Sequence, residues 1–217
     1  MSAYLIFANG EPNDGVMVQR ALAARQRVHV VAVDGGARVA RYFGCRIQTL
    51  IGDLDSLPAY EVQRLSDEGV QVLRFPPEKD ETDLELALNW AAGHGAHWLR
   101  IIGGIGGRFD QMLANVYLLA LPALIGRDVE LVAGSQALRL LRPGEWPIHG
   151  QADDTISLIP LGGPAQGVRT QGFKYPLHDE TLSFGPARGV SNVLLGEQGV
   201  VALREGLLLL VHTVGRA

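Results

Sequence analysis

The sequence contains a single cysteine, Cys45, among its 217 residues. It can form no internal disulfide, and it lacks the paired Cys and His spacings that bind zinc. Its six histidines show no metal-binding spacing either. These absences exclude a disulfide-stapled domain and a zinc fold, and they fit a protein of the reducing cytoplasm.

Long apolar runs and a basic charge balance are also absent. Its apolar runs, such as Leu207 to Val211, are far shorter than the roughly 20 residues that span a bilayer. The first ten residues carry no basic segment, so we expect no secretory leader. The formal net charge of −4 argues against a general nucleic-acid binder. We therefore predict a cytoplasmic protein that binds neither membrane nor nucleic acid.

The composition is that of a folded protein, with 47% hydrophobic and 19% charged residues. Its length allows one large domain or two small ones. Acidic charge is concentrated between Leu50 and Glu85, where ten acidic residues accompany three basic ones. Such a cluster is usually solvated surface, but it also supplies the oxygen ligands that a hard cation requires.

The first part of the chain alternates apolar strands with helical segments. Strands are predicted at 3–10, 28–36, 47–53, 70–77, 97–104 and 128–134. Helices are predicted before Arg25 and at 37–43, 58–69, 82–95 and 108–124, the last with a break at Pro122. Because the strands are continuously apolar, the pattern predicts a mostly parallel α/β sheet with helices on both faces.

The pattern changes after Gly134. Short candidate strands separated by Gly and Pro follow at 137–142, 155–161, 166–171, 181–184, 190–196, 199–204 and 207–213. No segment there has a helical period. The second part is predicted to be an all-β domain, a sandwich or a small barrel. We place the α/β domain at 1–136 and the β domain at 137–217.

Polar or glycine-rich loops follow five successive strands of the α/β domain. In chain order they contain Asn9, then Asp34, Gly35 and Gly36, then Asp53 and Asp55, then Lys79, Asp80, Thr82 and Asp83, and finally GGIGGRFD at 103–110. In an open parallel sheet, ligands bind beyond the carboxyl ends of the strands. The sequence therefore predicts one binding site at this edge.

The two acidic loops point to a metal ion. In an extended chain, Asp53 and Asp55 would face the same side roughly 6–7 Å apart, where they could share a divalent cation. An Asx turn is the alternative. Thr82 begins the next helix, and Asp80 and Asp83 could merely stabilise that helix start. Two such loops at one sheet edge favour the metal site.

The loop GGIGGRFD suggests phosphate binding. Its glycines let backbone amides approach a phosphate at a helix start, and Arg108 could add a bidentate contact. It is not a Walker A loop, and Phe109 breaks the pattern GxGxxG. A tight turn, with Arg108 on the surface and Asp110 beside the helix dipole, is the alternative. Together the loops indicate phosphoryl-type transfer on a nucleotide, with the acceptor undefined.

The ordered motifs resemble those of the thiamine pyrophosphokinase family. They are DGGA (34–37), GDLDS (52–56), KDETDLELAL (79–88) and GGIGGRFDQMLANV (103–116), followed by GFKYPL (172–177), GVSN (189–192) and GLLLLV (206–211). Each motif is weak alone, but the ordered set is specific and extends over nearly the whole chain. Two departures concern the acceptor side: Val193 replaces a glutamate common in bacterial members, and no tryptophan follows Asn192.

The resemblance implies an enzyme that transfers the pyrophosphoryl group of ATP to the hydroxyl of thiamine, giving thiamine diphosphate and AMP. It implies Mg²⁺ and a homodimer with an active site shared between subunits. A diphosphokinase for another alcohol, such as a pterin, and a non-catalytic nucleotide-binding protein are the alternatives. Which carboxylate accepts the hydroxyl proton, Asp80 or Asp110, is left open.

The expected site residues follow from the loops and the resemblance together. The metal ligands are Asp53, Asp55 and Asp83. The catalytic residues are Asp55, Asp80, Asp83, Arg108 and Asp110. The nucleotide contacts are Asn9, Asp34, Gly35, Gly36, Thr82, Gly104, Gly106 and Gly107. The thiamine contacts are Ser191 and Asn192, although GVSN taken alone is an ordinary β-turn sequence.

Overall fold

The structure is a computed structural model that describes residues 2–24 and 27–216. The chain divides into two compact units, Met1–Gly134 and Ser135–Ala217. Among the described residues, no helix combines the length and the hydropathy needed to cross a membrane.

The first unit is a parallel sheet with helical connections. Its strands are β1 (Ser2–Phe7), β2 (His29–Val33), β3 (Thr49–Gly52), β4 (Gln71–Arg74), β5 (Ala96–Ile102) and β6 (Asp128–Ala133). Its helices are α1 (Val16–Leu22), α2 (Gly36–Tyr42), α3 (Ala59–Asp67), α4 (Asp83–Gly93) and α5 (Phe109–Tyr117). The strands pair in parallel in the order β6-β5-β1-β2-β3-β4.

The strands form because both of their faces are apolar. Leu5, Ile6 and Phe7 are successive residues of β1, and all three are fully buried. Since successive side chains point to opposite faces, the sheet is covered on both sides. Each such side chain contributes roughly 1.5–3 kcal/mol when it is buried.

The strand order creates an opening at one edge of the sheet. The chain runs outward from β1 through β2 and β3 to β4, and then returns to place β5 on the other side of β1. The connections after β1 and β5 therefore leave the sheet in opposite directions. This is the topological switch point at which open parallel sheets bind ligands.

Local sequence features define the helix ends near this edge. Thr82 caps α4, and its Oγ1 accepts a hydrogen bond from the backbone N–H of Glu85 at 3.2 Å. The segment predicted as one helix over 108–124 is shorter, because α5 ends at Tyr117. Two 3₁₀ turns, Leu118–Ala120 and Pro122–Leu124, follow it. The break predicted at Pro122 lies between these two turns, at the extended residue Leu121, because a residue before proline disfavours the helical conformation.

The second unit is a sandwich of two antiparallel sheets. Its strands are β7 (Gln136–Leu141), β8 (Gly144–His149), β9 (Thr155–Pro160), β10 (Ala165–Gln171), β11 (His178–Leu182), β12 (Asn192–Val193), β13 (Gln198–Leu203) and β14 (Leu208–Thr213). One sheet has the order β12-β9-β14-β7 and the other β11-β10-β13-β8. Buried residues of both sheets, such as Ile156 and Val201, share one core. The predicted fold class is confirmed, and the two sheets decide for the sandwich over the small barrel.

Strand β8 was not predicted from the sequence. It contains Pro147, which removes a ladder donor and makes a segment look unlike a strand. The structure places β8 at the end of its sheet, where β13 is its one partner among the described strands. Proline is tolerated on such an edge strand because one side of the strand needs no hydrogen-bond partner.

We predict that Gly36→Ala will destabilise the protein severely. A Cβ atom at Gly36 would lie 1.9 Å from the carbonyl oxygen of Phe7, a clash with backbone that cannot move without displacing β1. We expect a loss of about 2 kcal/mol or more in the free energy of unfolding, measured by urea denaturation. Gly93→Ala is the matched control, since nothing lies within 4 Å of its added Cβ; it should be neutral or stabilise by up to about 1 kcal/mol. Equal stability of the two variants would contradict the close approach.

Candidate active site

A cleft of about 670 Å³ lies at the carboxyl ends of the strands of the first unit. The loops after β1, β2, β3, β4 and β5 all contribute to its wall. Ten of the predicted site residues line it: Asn9, Asp34, Asp53, Asp55, Thr82, Asp83, Gly104, Gly106, Gly107 and Arg108. The predicted convergence of five strand-end loops is therefore present in the structure.

Three carboxylates meet inside the cleft. Asp34, Asp53 and Asp83 each offer an oxygen, and these oxygens lie within 4.8 Å of one another. They come from three different loops, after β2, after β3 and at the first residue of α4. Asp34 is buried and has a left-handed backbone with φ of 48°, a conformation that aspartate tolerates better than most residues.

Asp55 does not belong to this group of three. The premise of an extended chain at Asp53–Asp55 is wrong, because Leu54 has φ of 67° and reverses the backbone. The N–H of Asp55 instead donates to Asp53 Oδ1 at 3.1 Å, which is an Asx turn. Asp55 is exposed on the cleft rim, where its Oδ1 accepts from Ser56 Oγ at 3.2 Å. Asp34, predicted as a nucleotide contact, takes the third position in the group.

The group of three includes buried oxygens without a hydrogen bond. Among the described residues, the buried oxygens Asp34 Oδ1 and Asp83 Oδ1 accept no hydrogen bond. Burial raises the pKa of the Asp34 carboxyl, hydrogen bonds from Ser56 and Gly35 oppose this rise, and the nearby carboxylates of Asp53 and Asp55 add to it. An all-oxygen set of carboxylates with free lone pairs suits a hard divalent cation such as Mg²⁺ or Mn²⁺. The residues present therefore fit a metal ion.

The glycine loop after β5 is fixed to the loop after β1. The N–H of Gly10 donates to the carbonyl of Gly103 at 2.8 Å, and a Cβ at Gly10 would lie 2.4 Å from that oxygen. The buried side chain of Asn115 donates to the carbonyl of Gly104 at 2.7 Å. By contrast, a Cβ at Gly107 would meet no atom within 4 Å. Some of these glycines serve the crossing of two loops, whereas Gly107 borders open space in the cleft.

Gly35 and Gly36 were predicted to admit a nucleotide, but they do not line the cleft. A Cβ at Gly35 would lie 2.1 Å from Asn9 Oδ1, and one at Gly36 would meet the carbonyl of Phe7. The protein itself fills the space beside both residues. Asn9 does line the cleft, and its Nδ2 donates to Ser56 Oγ at 3.3 Å.

Arg108 and Asp110 form an exposed pair at the cleft mouth. Arg108 Nε donates to Asp110 Oδ1 at 3.2 Å. This hydrogen bond raises the pKa of Arg108 and lowers the pKa of Asp110. Arg108 lines the cleft, but Asp110 does not, and neither does the exposed Asp80. Both candidates for accepting the hydroxyl proton therefore lie outside the cleft wall.

The predicted site omitted several residues that line the cleft. Lys79 places its Nζ 3.0 Å from Asp83 Oδ1 and 3.8 Å from Asp53 Oδ2. Ser56, Asn115 and Met112 also contribute to the wall. Asn115 could have been found from the sequence, since an amide among the apolar residues of α5 needs a buried partner.

In the second unit, Asn192 is buried and its side chain is fully engaged. Its Oδ1 accepts from the N–H of Tyr175 at 3.0 Å, and its Nδ2 donates to the carbonyl of Tyr175 at 2.8 Å. Tyr175 itself is exposed, and Lys174 Nζ lies 5.4 Å from the centroid of its ring. Asn192 therefore positions Tyr175. Ser191 is exposed with φ of 60°, and its N–H donates to Ser157 Oγ.

The sequence matches two family models along this chain. Residues 21–130 match the model described as the thiamin pyrophosphokinase catalytic domain, and residues 147–208 match its vitamin B1 binding domain. The chain is 29% identical over 184 residues to thiamine pyrophosphokinase of Bacillus subtilis (strain 168), covering 84% of this chain and 86% of that protein.

Two solved structures support the match. Thiamine pyrophosphokinase from Bacillus subtilis superposes with a TM-score of 0.87 at 27% identity, covering 98% of this chain and 99% of that one. Thiamin pyrophosphokinase from Geobacillus thermodenitrificans gives a TM-score of 0.82 at 29% identity, with 98% and 97% coverage.

The catalytic-domain match extends over four of the five loops that build the cleft, from the one after β2 to the one after β5. This cleft, at the switch point of a parallel sheet, and the family-model match together define the class of the protein. It is a transferase of the kinase type. It belongs to the thiamin pyrophosphokinase family, which confirms the resemblance drawn from the ordered motifs.

We predict that Asp34→Asn will stabilise the metal-free protein at neutral pH. Because the folded-state pKa of Asp34 is raised, the wild-type free energy of unfolding falls as pH rises through that pKa. Asparagine tolerates the left-handed backbone as well as aspartate does. The gain, of the order of 1 kcal/mol, should vanish below the ordinary aspartate pKa of about 3.9.

Urea denaturation in chelator across a pH series measures this effect. Asp67→Asn, at the exposed end of α3, controls for the change in overall charge. A variant less stable than the wild type at pH 7 would contradict the cost assigned to the buried carboxylate.

Proposed function

We propose that this enzyme transfers the pyrophosphoryl group of ATP to the hydroxyl of thiamine, giving thiamine diphosphate and AMP. The observation that carries the proposal is the group of three carboxylates beside a glycine loop, in a chain of this family. The cleft, at about 670 Å³, is of the size that binds nucleotide-sized ligands.

We propose Mg²⁺ as the divalent metal, held by Asp34, Asp53 and Asp83. The ion would neutralise the polyphosphate and hold it in line with the acceptor. Support comes from the all-oxygen donor set and from the buried carboxylate oxygens without hydrogen bonds. Asp55 stays in the proposal as a residue that would assist metal binding from the cleft rim, since it lies outside the group of three.

The remaining cleft residues would position the phosphates. The thiamine hydroxyl oxygen forms a bond to the β-phosphorus while the bond from that phosphorus to the α,β-bridging oxygen breaks, and AMP leaves. Backbone amides at Gly106 and Gly107 would face the phosphates, and Arg108 would stabilise the charge that develops. Asp110 acts by orienting Arg108, and Thr82 acts by capping the helix that carries Asp83.

A loose phosphoryl-type transition state asks little of a general base. This suits a site in which Asp80 and Asp110 are both outside the cleft wall. We therefore propose that the hydroxyl proton passes to water, and that Asp110 acts by orienting Arg108 rather than as the base. Asn9, which lines the cleft beside Ser56, is the proposed nucleotide contact from the loop after β1.

The second unit would bind the acceptor. We assign nucleotide binding to residues 1–136 and thiamine binding to residues 137–217, supported by the two family-model matches. Ser191 is a proposed direct contact because it is exposed, whereas Asn192 would act through Tyr175. A homodimer and a cytoplasmic location belong to the same proposal, and light scattering after size-exclusion chromatography tests the former.

The decisive assay combines the protein with ATP, Mg²⁺ and thiamine. We expect equal amounts of AMP and thiamine diphosphate. Asp53→Asn should lower turnover by about 100-fold or more, as loss of a group that stabilises transition-state charge does, while the exposed Asp67→Asn should leave it unchanged. Release of ADP would contradict pyrophosphoryl transfer. AMP formed with a pterin alcohol but not with thiamine would favour the other diphosphokinase, and ATP binding without turnover would favour a non-catalytic protein.

Asn192→Ala should raise the KM for thiamine by about tenfold and leave the KM for ATP unchanged. The substitution removes both hydrogen bonds that hold the backbone of Tyr175, each worth about 1 kcal/mol. Tyr175→Ala should show the same KM change and Tyr175→Phe should not. Phe184→Ala removes another exposed aromatic side chain of this unit and serves as control. An unchanged thiamine KM in Asn192→Ala would remove this segment from the acceptor site.

A further inference from the structure

Lys79 occupies a place in the cleft that its side chain rarely takes in proteins. Its side chain is only 11% exposed, although lysine is almost never buried unless it is paired. Its Nζ lies 3.0 Å from Asp83 Oδ1 and 3.8 Å from Asp53 Oδ2, and it donates to the carbonyl of Pro76 at 3.2 Å. The ammonium group thus contacts two of the three clustered carboxylates.

The ammonium group and a divalent ion would use the same oxygens. Asp83 Oδ1 is close to Nζ but lacks hydrogen-bond geometry with it. Asp53 Oδ1 accepts the hydrogen bond of the Asx turn, and its Oδ2 is the oxygen that lies near Lys79. Two positive groups cannot share these atoms without strong repulsion in a partly buried site.

We propose that Lys79 is an internal counter-cation that competes with the divalent ion. In the unloaded enzyme it holds Asp53 and Asp83 near Asp34 against their mutual repulsion. When the ion binds, the ammonium group leaves the carboxylates and pairs with the phosphates of the nucleotide. The inference rests on the proposed metal and nucleotide function of the cleft, and it makes Lys79 a positioning residue that links metal binding to nucleotide binding.

The competition has a definite sign. A lysine that merely organises the metal ligands would weaken metal binding when it is removed, whereas a competitor would strengthen it. Displacing Lys79 costs free energy in the absence of nucleotide, because the ammonium group then lacks a partner. With nucleotide present the phosphates take that role, so the wild-type enzyme should favour the metal–nucleotide complex over the free metal ion.

Isothermal titration of the nucleotide-free protein with Mn²⁺ tests the inference. Lys79→Gln should bind Mn²⁺ on the order of tenfold more tightly than the wild type, since a charge next to two carboxylates is removed. Lys79→Arg keeps the charge and should stay near the wild type. Lys174→Gln is a matched control, because Lys174 is the chain's other lysine and lies in the second unit.

The melting temperature in chelator supplies a second measurement. Lys79→Gln should melt lower than the wild type without metal, and added Mn²⁺ should raise its melting temperature by more than it raises that of the wild type. Equal or weaker Mn²⁺ binding by Lys79→Gln would overturn the inference while leaving the metal site intact. Absence of Mn²⁺ binding in every variant would overturn both the inference and the proposed metal site. Tighter binding by Lys79→Gln, in a protein whose wild type makes no thiamine diphosphate, would support the inference and overturn only the proposed function.

Discussion

The repulsion among three clustered carboxylates is the constraint on which this site depends. Asp34, Asp53 and Asp83 hold oxygens within 4.8 Å of one another, an arrangement that no isolated loop would maintain. The rigid parallel sheet opposes this repulsion, because each carboxylate is attached to a different fixed element. Backbone strain adds to the free-energy cost of this arrangement, since Asp34 and Leu54 both have left-handed backbones. Such strain is typical of functional sites, and a bound cation would offset the repulsion among the carboxylates.

The switch point of the sheet explains why the three carboxylates cluster at this edge. The loops after β1 and β5 cross closely, with Gly10 donating to Gly103, and the space for a ligand opens beside that crossing. Gly103 also has φ of 73°, which a residue with a side chain rarely adopts. A glycine-rich loop therefore has two tasks at such an edge. It lets two backbones approach each other, and at Gly107 it leaves room for a ligand.

Much of this fold could be predicted from the sequence because continuously apolar strands and loop residues give direct local patterns. The parallel pairing, the all-β second unit and the convergence of five loops all follow from such patterns. The reversal at Leu54 could not be predicted, since leucine carries no preference for positive φ, and it placed Asp55 on the cleft rim, outside the group of three. Strand β8 was missed because Pro147 is acceptable only at a sheet edge, and edge position is a property of the assembled sheet.

Polar residues of a motif need not be the groups that touch the ligand. The side-chain amide of Asn192 is hydrogen-bonded to the backbone of Tyr175, and the carboxylate of Asp110 accepts a hydrogen bond from Arg108. In both cases a residue that a motif marks as functional holds another residue that faces solvent or the cleft. Lys79 does the same through its charge. In the unloaded enzyme it holds the carboxylates that bind the divalent ion in the loaded enzyme. The unloaded site is then organised by groups that must give way when the substrates arrive.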